Sequence, residues 1–367
     1  MKKQSRNSSH SKDNGNGGNN GNGNNGNGNG NGNGNGKNGN GKSKGWEERA
    51  RTVGAAQSHL CQKFADLRLF GGTLAGSKAD GGYDAGSATG PIQMKITDSV
   101  NIPHITEYAI TRVAIANEAL AESRDANQTM GRKAVVNYAL FCTEIYVDPF
   151  RADVTGLTNG DLGRFCDDLL HLFDHDASAS RPSMNVRKLI IAKHRSKRGD
   201  CPTYVLDEQI RILPRVQDPR SYSDFDITVG PSPTPNVEMF VIEPWPDAEA
   251  ALARVMAGTV EGAVVENRYK MWLIWEAIQS NPNGDPDNAN HPRMNANTHQ
   301  CEVTDVCLKR KVRDRLTLVH GQEIYVRKGS VLSLNRKIAY DDLGLHAPPP
   351  PPSGADAPDD DGDDAVS

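Results

Sequence analysis

Near its end the chain changes character. An apolar run, YKMWLIWEAI (269–278), leads into NPNGDPDNANHPRMNANTHQCEVTDVCLKRKVRDR (281–315), a turn-rich acidic loop followed by a segment carrying five Lys or Arg. The run has the composition of a strand, and the pair reads as the opening of a domain. Only about fifty residues follow, most of them loop and tail. Thr304 stands where an N-cap is needed, and Leu308, Val312, Leu316 and Val319 recur at helical spacing, so a helix is expected from Asp305 to about Val319. Arg310 then points away from the apolar stripe, with Lys309 and Arg313 on one flank and Lys311 and Arg315 on the other. On charge alone this is a solvated helix face with Asp314 as a partner. QEIYVRK (322–328) is expected to add a short strand.

The rest of any domain must come from earlier in the chain. Of 367 residues, 1–44 are almost wholly Asn, Gly, Ser and Lys, a composition with nothing to bury, and are expected to be disordered. Residues 345–367, a polyproline run followed by Asp, are expected to be extended and solvated. The net charge of −4 conceals opposite tails. The first carries seven Lys/Arg and one Asp, the last six Asp, and the core between them is again −4. Global charge therefore implies no nucleic-acid partner, and any such surface must be a local patch. Six cysteines without CxxC spacing argue against zinc and against a disulfide framework. With no long apolar span and no signal peptide, the expectation is a soluble cytoplasmic protein without membrane contact.

Between the tails, WEERARTVGAAQSHLCQKFADLRLF (46–70) has helical spacing, and the glycine-rich stretch after it reads as a loop or loose hairpin. IQMKITDSV reads as a strand with Ile92, Met94 and Ile96 on one side. ANEALAESRDANQTMG reads as a mobile surface segment. AVVNYALFCTEIY (134–146), a helix over 158–173 capped by Thr158, and MNVRKLIIAKH (184–194) form a β–α–β unit. VLDEQIRILPRV and VEMFVIEPW suggest strands, and PDAEAALARVMAG a short helix. The run 269–278, the basic helix and 322–328 form a second β–α–β. Two such halves make an α+β fold with an RRM-like or ferredoxin-like antiparallel sheet and two helices on one face. That arrangement commonly leaves the other sheet face open for RNA.

The motif NPNGDPD…HPR…EVTDVCLKRKVRDRL…GQEIYV closely resembles the start of the backbone subunit of type I-C Cascade, the Cas-seven family of the RAMP group. LCQKFADLRLFGG, GPIQMKITDSVNIPHITEYAITR, TMGRKAVVNYALF, TGLTNGDL, FDHDASASRPSMNVRKLIIAKHRSKRG and YSDFDITV resemble its remainder. The resemblance spans most of 58–230 and 269–328 with the halves in inverted order. It implies a hand-like RAMP fold that is circularly permuted. Residues 269–344 are then the first half, 45–230 the second, and 231–268 the joining segment across the old termini. Such a cut is tolerated where the broken loop is exposed and the old ends lie close together.

The resemblance implies a non-catalytic protein that binds CRISPR guide RNA, assembles with copies of itself and other Cascade subunits, and meets target DNA through the guide. Such binding needs cations and small polar donors on the phosphate backbone. The positions it points to are Lys309, Arg310, Arg313 and Lys311 on the helix, and Asn281, Asn283 and Arg293 in the loop. Beyond these are Arg132 and Lys133 in TMGRK, His194 in KHRSKRG, Arg68, Gln93 and Arg181. Bland readings stand beside these. On these readings the loop is only an Asx-turn cluster built on Asp285 and Asp287, Arg68 pairs with Asp66 or caps a turn, and Arg181 serves RNA or a neighbouring subunit. The loop loosely resembles a calcium loop but lacks its terminal Glu and flanking helices. No cofactor, metal or hydrolytic constellation is expected. Two rivals remain: a RAMP-type RNA endonuclease using Asp285 or Asp287, and a non-assembling RNA-binding regulator.

Overall fold

The computed structural model describes residues 39–77, 81–112 and 129–348. The chain divides into two compact units, 1–45 and 46–367. Of the first, only the start of a helix is described. The tails, and most of the stretch expected to be a mobile surface segment, lie outside the described residues.

Helices α1 (Gly39–Lys63) and α2 (Ala65–Phe70) open the described chain. Helix α2 stops at Gly71, whose φ of 68° suits glycine. A Cβ there would lie 2.0 Å from the Ala88 carbonyl oxygen, so only glycine lets the small hairpin β1 (Gly71–Thr73) and β2 (Ser87–Thr89) close. Next come β3 (Ile92–Met94), β4 (Thr97–Asp98), β5 (Ile105–Arg112) and the long β6 (Thr129–Val147). Helices α3 (Pro149–Thr155) and α4 (Asn159–Leu170) lead to β7 (Ser183–His194). Thr158 and Asp161 cap α4 reciprocally, as a capping box should. Helix α5 (Thr203–Asp207) precedes the hairpin β8 (Ile210–Pro214) and β9 (Phe225–Val229). Strand β10 (Val237–Ile242), α6 (Ala248–Val255) and β11 (Tyr269–Ser280) follow. Short pieces β12 (Gly284–Asp285), β13 (His291–Pro292) and β14 (Glu302–Val303) lead to α7 (Asp305–Leu318) and α8 (Leu332–Asp342).

The main sheet is six-stranded, in the order β10–β7–β11–β6–β3, with β5 also on β6. Every pairing is antiparallel. Strands β6 and β7 flank β11 and therefore run parallel to each other, joined by the α3–α4 crossover. Strands β3 and β5 lie beyond β6 and run parallel to β11. With α4 and α7 on one face, this is the ferredoxin-like α+β arrangement. Leu162, Phe165 and Leu169 of α4 and Leu308, Val312 and Leu316 of α7 pack there against Phe141, Ile145, Leu189, Leu273 and Trp275. A second core lies on the opposite face, where Tyr138, Leu140, Ile190, Trp272 and Ile274 meet Leu206 and Phe225. Strand β11 is buried on both faces, so its sequence reads as a continuous apolar run. A third cluster joins α1 to α8 through Leu60, Phe64, Tyr325, Ala339 and Tyr340.

Three expectations change. The second sheet face is not open: the β8–β9 hairpin and α5 cover it with Ile210, Ile212, Ile227 and Leu206. Residues 322–328 form no strand, because the Asp66 carboxylate takes the Tyr325 and Val326 N–H groups at 2.8 and 3.1 Å, and Ile324 and Tyr325 turn into two different cores. The parallel partner of β11 comes instead from β3 and β5. Ile96 and Val319, expected on apolar faces, are exposed, since β3 ends at Met94 and α7 at Leu318. The strand and short helix expected within 231–268 both form. Strand β10 extends the sheet beyond β7, and Leu252 and Val255 of α6 join the helical-face core.

Candidate nucleic-acid interface

Helix α7 forms where the sequence places it. Thr304 accepts a hydrogen bond from the Cys307 N–H, Asp305 sits in the first turn, and Leu308, Val312 and Leu316 are buried. Its cations, however, are mostly committed inside the molecule. Lys309 reaches Asp305 at 2.8 Å, one turn back. Arg313, 13% exposed, lies 3.0 Å from the fully buried Asp66 of α2. Lys309 and Arg313 both sit over the Phe70 ring, at 5.6 and 5.5 Å. Lys311 is buried against Asp176 and over Phe173. Arg315 is buried against Asp168 at 2.9 Å. Only Arg310 faces water, 60% exposed and paired with Asp314 at 2.8 Å, as the solvated-face reading has it.

The loop after β11 is shaped by its own polar groups. Asn281 is buried; its N–H donates to Ser180 and its side-chain NH₂ to Asn290, both at 2.7 Å. The Asn281 Oδ1 is buried without a partner among the described residues. Asn283 donates weakly to the Thr304 hydroxyl at 3.4 Å, while its carbonyl accepts from the Arg293 N–H. The Asp285 carboxylate accepts from the Asp287 N–H and lies 3.5 Å from the Arg293 guanidinium. This is the Asx-turn geometry.

Other positions divide between interior and surface. Arg68 donates twice to Asp161, at 3.1 and 3.2 Å, and its third nitrogen donates to the Gln62 and Cys61 carbonyls at the end of α1. It caps a helix end and pairs with Asp161, while Asp66 is taken by Arg313. Burial would raise the Asp161 carboxyl, but the Arg68 and Arg164 contacts outweigh it and hold it below its ordinary range. His194 is 3% exposed, and its Nδ1 accepts the Asp200 N–H at 2.8 Å. Burial also pushes its pKa down, so the ring is neutral at pH 7 and holds a turn; it is not a surface cation for RNA. Gln93 donates to the Gly90 carbonyl at 2.8 Å. Arg181 is partly exposed, 3.0 Å from Asp176, and shares that carboxylate with Lys311.

Arg132 stands apart. The last pairing of β6 with β11 is Val136 with Ser280; from 135 back to 129, β6 pairs with β5 alone. The two strands thus run past the end of β11 as a two-stranded arm. Arg132 on it is 80% exposed and only 3.6 Å from Glu107, with the half-buried Lys133 beside it.

Asp66 was expected to serve Arg68 but takes Arg313, and three further carboxylates, Asp161, Asp168 and Asp176, were not assigned from the sequence; each of the four holds a cation from a distant segment. A lone acid inside an apolar helix pattern, as in FADLRLF or FCDDLL, was the available signal. Ligand atoms of Asp167, Asp168 and His320 lie within 4.8 Å of one another. Arg315 already occupies the Asp168 carboxylate there, so the resident cation is a guanidinium. Among the described residues no helix is long and apolar enough to cross a membrane.

The sequence model of the family described as CRISPR-associated protein Cas7 matches residues 2–230 and 267–363. The CRISPR-associated protein Cas7 of Haloferax volcanii is 42% identical over 79 residues, which span 21% of this chain and 23% of that protein.

Proposed function

The chain belongs to the family of CRISPR-associated protein Cas7, and from that premise we propose that it is a guide-RNA-binding, self-assembling backbone subunit of a type I-C-like surveillance complex, without nuclease activity of its own. The observation that carries this reading is the β5–β6 arm, a projection bearing the exposed Arg132 on a sheet whose two faces are otherwise covered. Such an arm suits gripping phosphates and separating segments of a strand without reading bases. In this reading Asp285 shapes the loop, accepting from the Asp287 N–H and lying against Arg293, and neither aspartate acts in catalysis.

The inverted order of the halves is, in the same reading, a circular permutation. Two features support it: 231–266 falls between the two matched stretches, and α1 and α8, from opposite ends of the chain, share one apolar cluster.

The test is purification of the full chain with and without guide RNA. RNA that copurifies, dissociates steeply with salt and drives a shift to multimers is expected. A persistent monomer with guide present would overturn the backbone reading, and regularly spaced cuts in a complementary RNA with magnesium would overturn the non-catalytic one. Replacing Lys309 and Arg313 by Glu is a poor probe, since each would put an acid beside the carboxylate it now neutralises.

A further inference from the structure

The turn after β7 gathers positive charge at the end of the sheet away from the arm. Arg195 and Arg198 stand in it, and Arg268 lies across it just before β11. Backbone contacts hold the three together. The Arg195 N–H donates to the Asn236 carbonyl at 2.9 Å. Asn267 donates to the His194 and Arg195 carbonyls at 2.9 and 3.1 Å, and Arg268 donates to the Arg198 carbonyl at 3.0 Å. A Cβ on Gly199 would sit 3.1 Å from the Arg268 Cδ, so this glycine, at φ 92°, leaves that side chain room.

All three arginines are exposed, and none pairs with a carboxylate among the described residues. The two acids in contact with the turn are already taken. Asp153 holds Lys197, and Asp200 accepts the Ser196 N–H at 2.8 Å. By contrast, the exposed Arg132 and Arg310 each have an acid of their own, Glu107 and Asp314. Three like charges without a counter-charge repel one another and favour a polyanion. The 12 residues of β11, at roughly 3.4 Å each, put this turn about 40 Å from the arm, too far to share one grip with it.

The chain carries a polyanion of its own. Residues 345–367 hold six Asp and no Lys or Arg, and five of those Asp fall within 359–364. The described chain ends at 348, and packed elements link that exit to the turn. Leu345 packs on the cluster shared by α1 and α8, which also holds Leu67 of α2. The Arg68 carbonyl of α2 accepts the Thr155 hydroxyl of α3 at 2.9 Å, and Asp153 of α3 reaches Lys197 in the turn. That path crosses two helices, roughly 20–25 Å. The stretch from 348 to 356 can span up to about 27 Å, and that to 364 about twice as much.

We propose that the acidic segment 356–364 turns back onto its own chain and covers Arg195, Arg198 and Arg268, shielding them from other polyanions. Tethering gives the segment an effective concentration on the order of millimolar, which offsets the weakness of each exposed ion pair. This docking is independent of the RNA-binding reading and holds for the chain without RNA.

The test labels the full chain, freed of nucleic acid, with phenylglyoxal and maps the modified arginines by mass spectrometry. Arg195, Arg198 and Arg268 should react about threefold more slowly than in a chain ending at Ser353. Arg132 and Arg310 should react alike in both. The difference should vanish near 1 M salt, where screening reaches about 3 Å. A full-length chain with Asp359, Asp360, Asp361, Asp363 and Asp364 replaced by Asn should behave as the truncated one. Equal rates at the three arginines in full and truncated chains overturn the proposal. So does protection that moves to Arg132, Arg310 or Arg327, and so does protection that is lost on dilution, which would place the segment on another copy.

Discussion

Helix α7 and the β5–β6 arm invert each other. The helix carries five cations within seven residues, yet four of them are largely buried against Asp66, Asp168, Asp176 and Asp305. The arm shows two in sequence, and one of them is 80% exposed. A dense run of Lys and Arg is therefore no measure of available positive charge. Cations are buried only where carboxylates come with them, and once paired they hold the fold rather than a ligand.

Asp66→Ala presses hardest on this contrast. It strands the Arg313 charge and leaves the Tyr325 and Val326 N–H groups without their acceptor, and it should cost about 3–5 kcal/mol in urea unfolding. A loss below about 1 kcal/mol would mean that the helix cations are freer than the geometry implies. Acid should act next on the same interior network. Because Asp161 titrates below its ordinary value of 3.8, its stabilising contribution is present above that pH and fades as pH falls toward the lower folded value. Asp161→Asn should flatten this acid limb of the urea midpoint. Thr304→Ala, which removes the α7 cap, should cost roughly 1 kcal/mol. At the other pole, Arg132→Glu with Lys133→Glu should change stability by no more than about 0.5 kcal/mol while sharply reducing the RNA that copurifies at moderate salt. Smallest is Arg310→Ala: its exposed pair with Asp314 predicts a stability change within about 0.5 kcal/mol.

Local pattern carried much of the fold. The capped helices at Thr158 and Thr304 and the strands around 134–146, 184–194 and 269–278 follow from propensity and period. Two features did not follow, for one physical reason. The covering of the second sheet face by the 210–229 hairpin depends on packing between remote segments, and the loss of a strand at 322–328 depends on one carboxylate some 260 residues away in sequence. The candidate site was legible in composition and less so in availability. KRKVRDR announces charge but cannot say which acid each cation meets, whereas Arg132 in TMGRK gave a weaker signal and stands in the open. The left-handed backbone of Gln279, φ 46°, had no signal at all, because nothing in QSNPNGD marks it at the penultimate residue of β11.

The position of β11 has a consequence for synthesis. The strand at the middle of the sheet is among the last to be made, while both of its neighbours, β6 and β7, leave the ribosome well before it. Until residue 280 emerges, those neighbours flank an empty slot with unpaired edges, an arrangement prone to slow closure and off-pathway pairing. A nascent chain arrested before that point lacks the centre of its sheet rather than a margin, so this protein should depend on chaperones during translation more than its size alone would suggest.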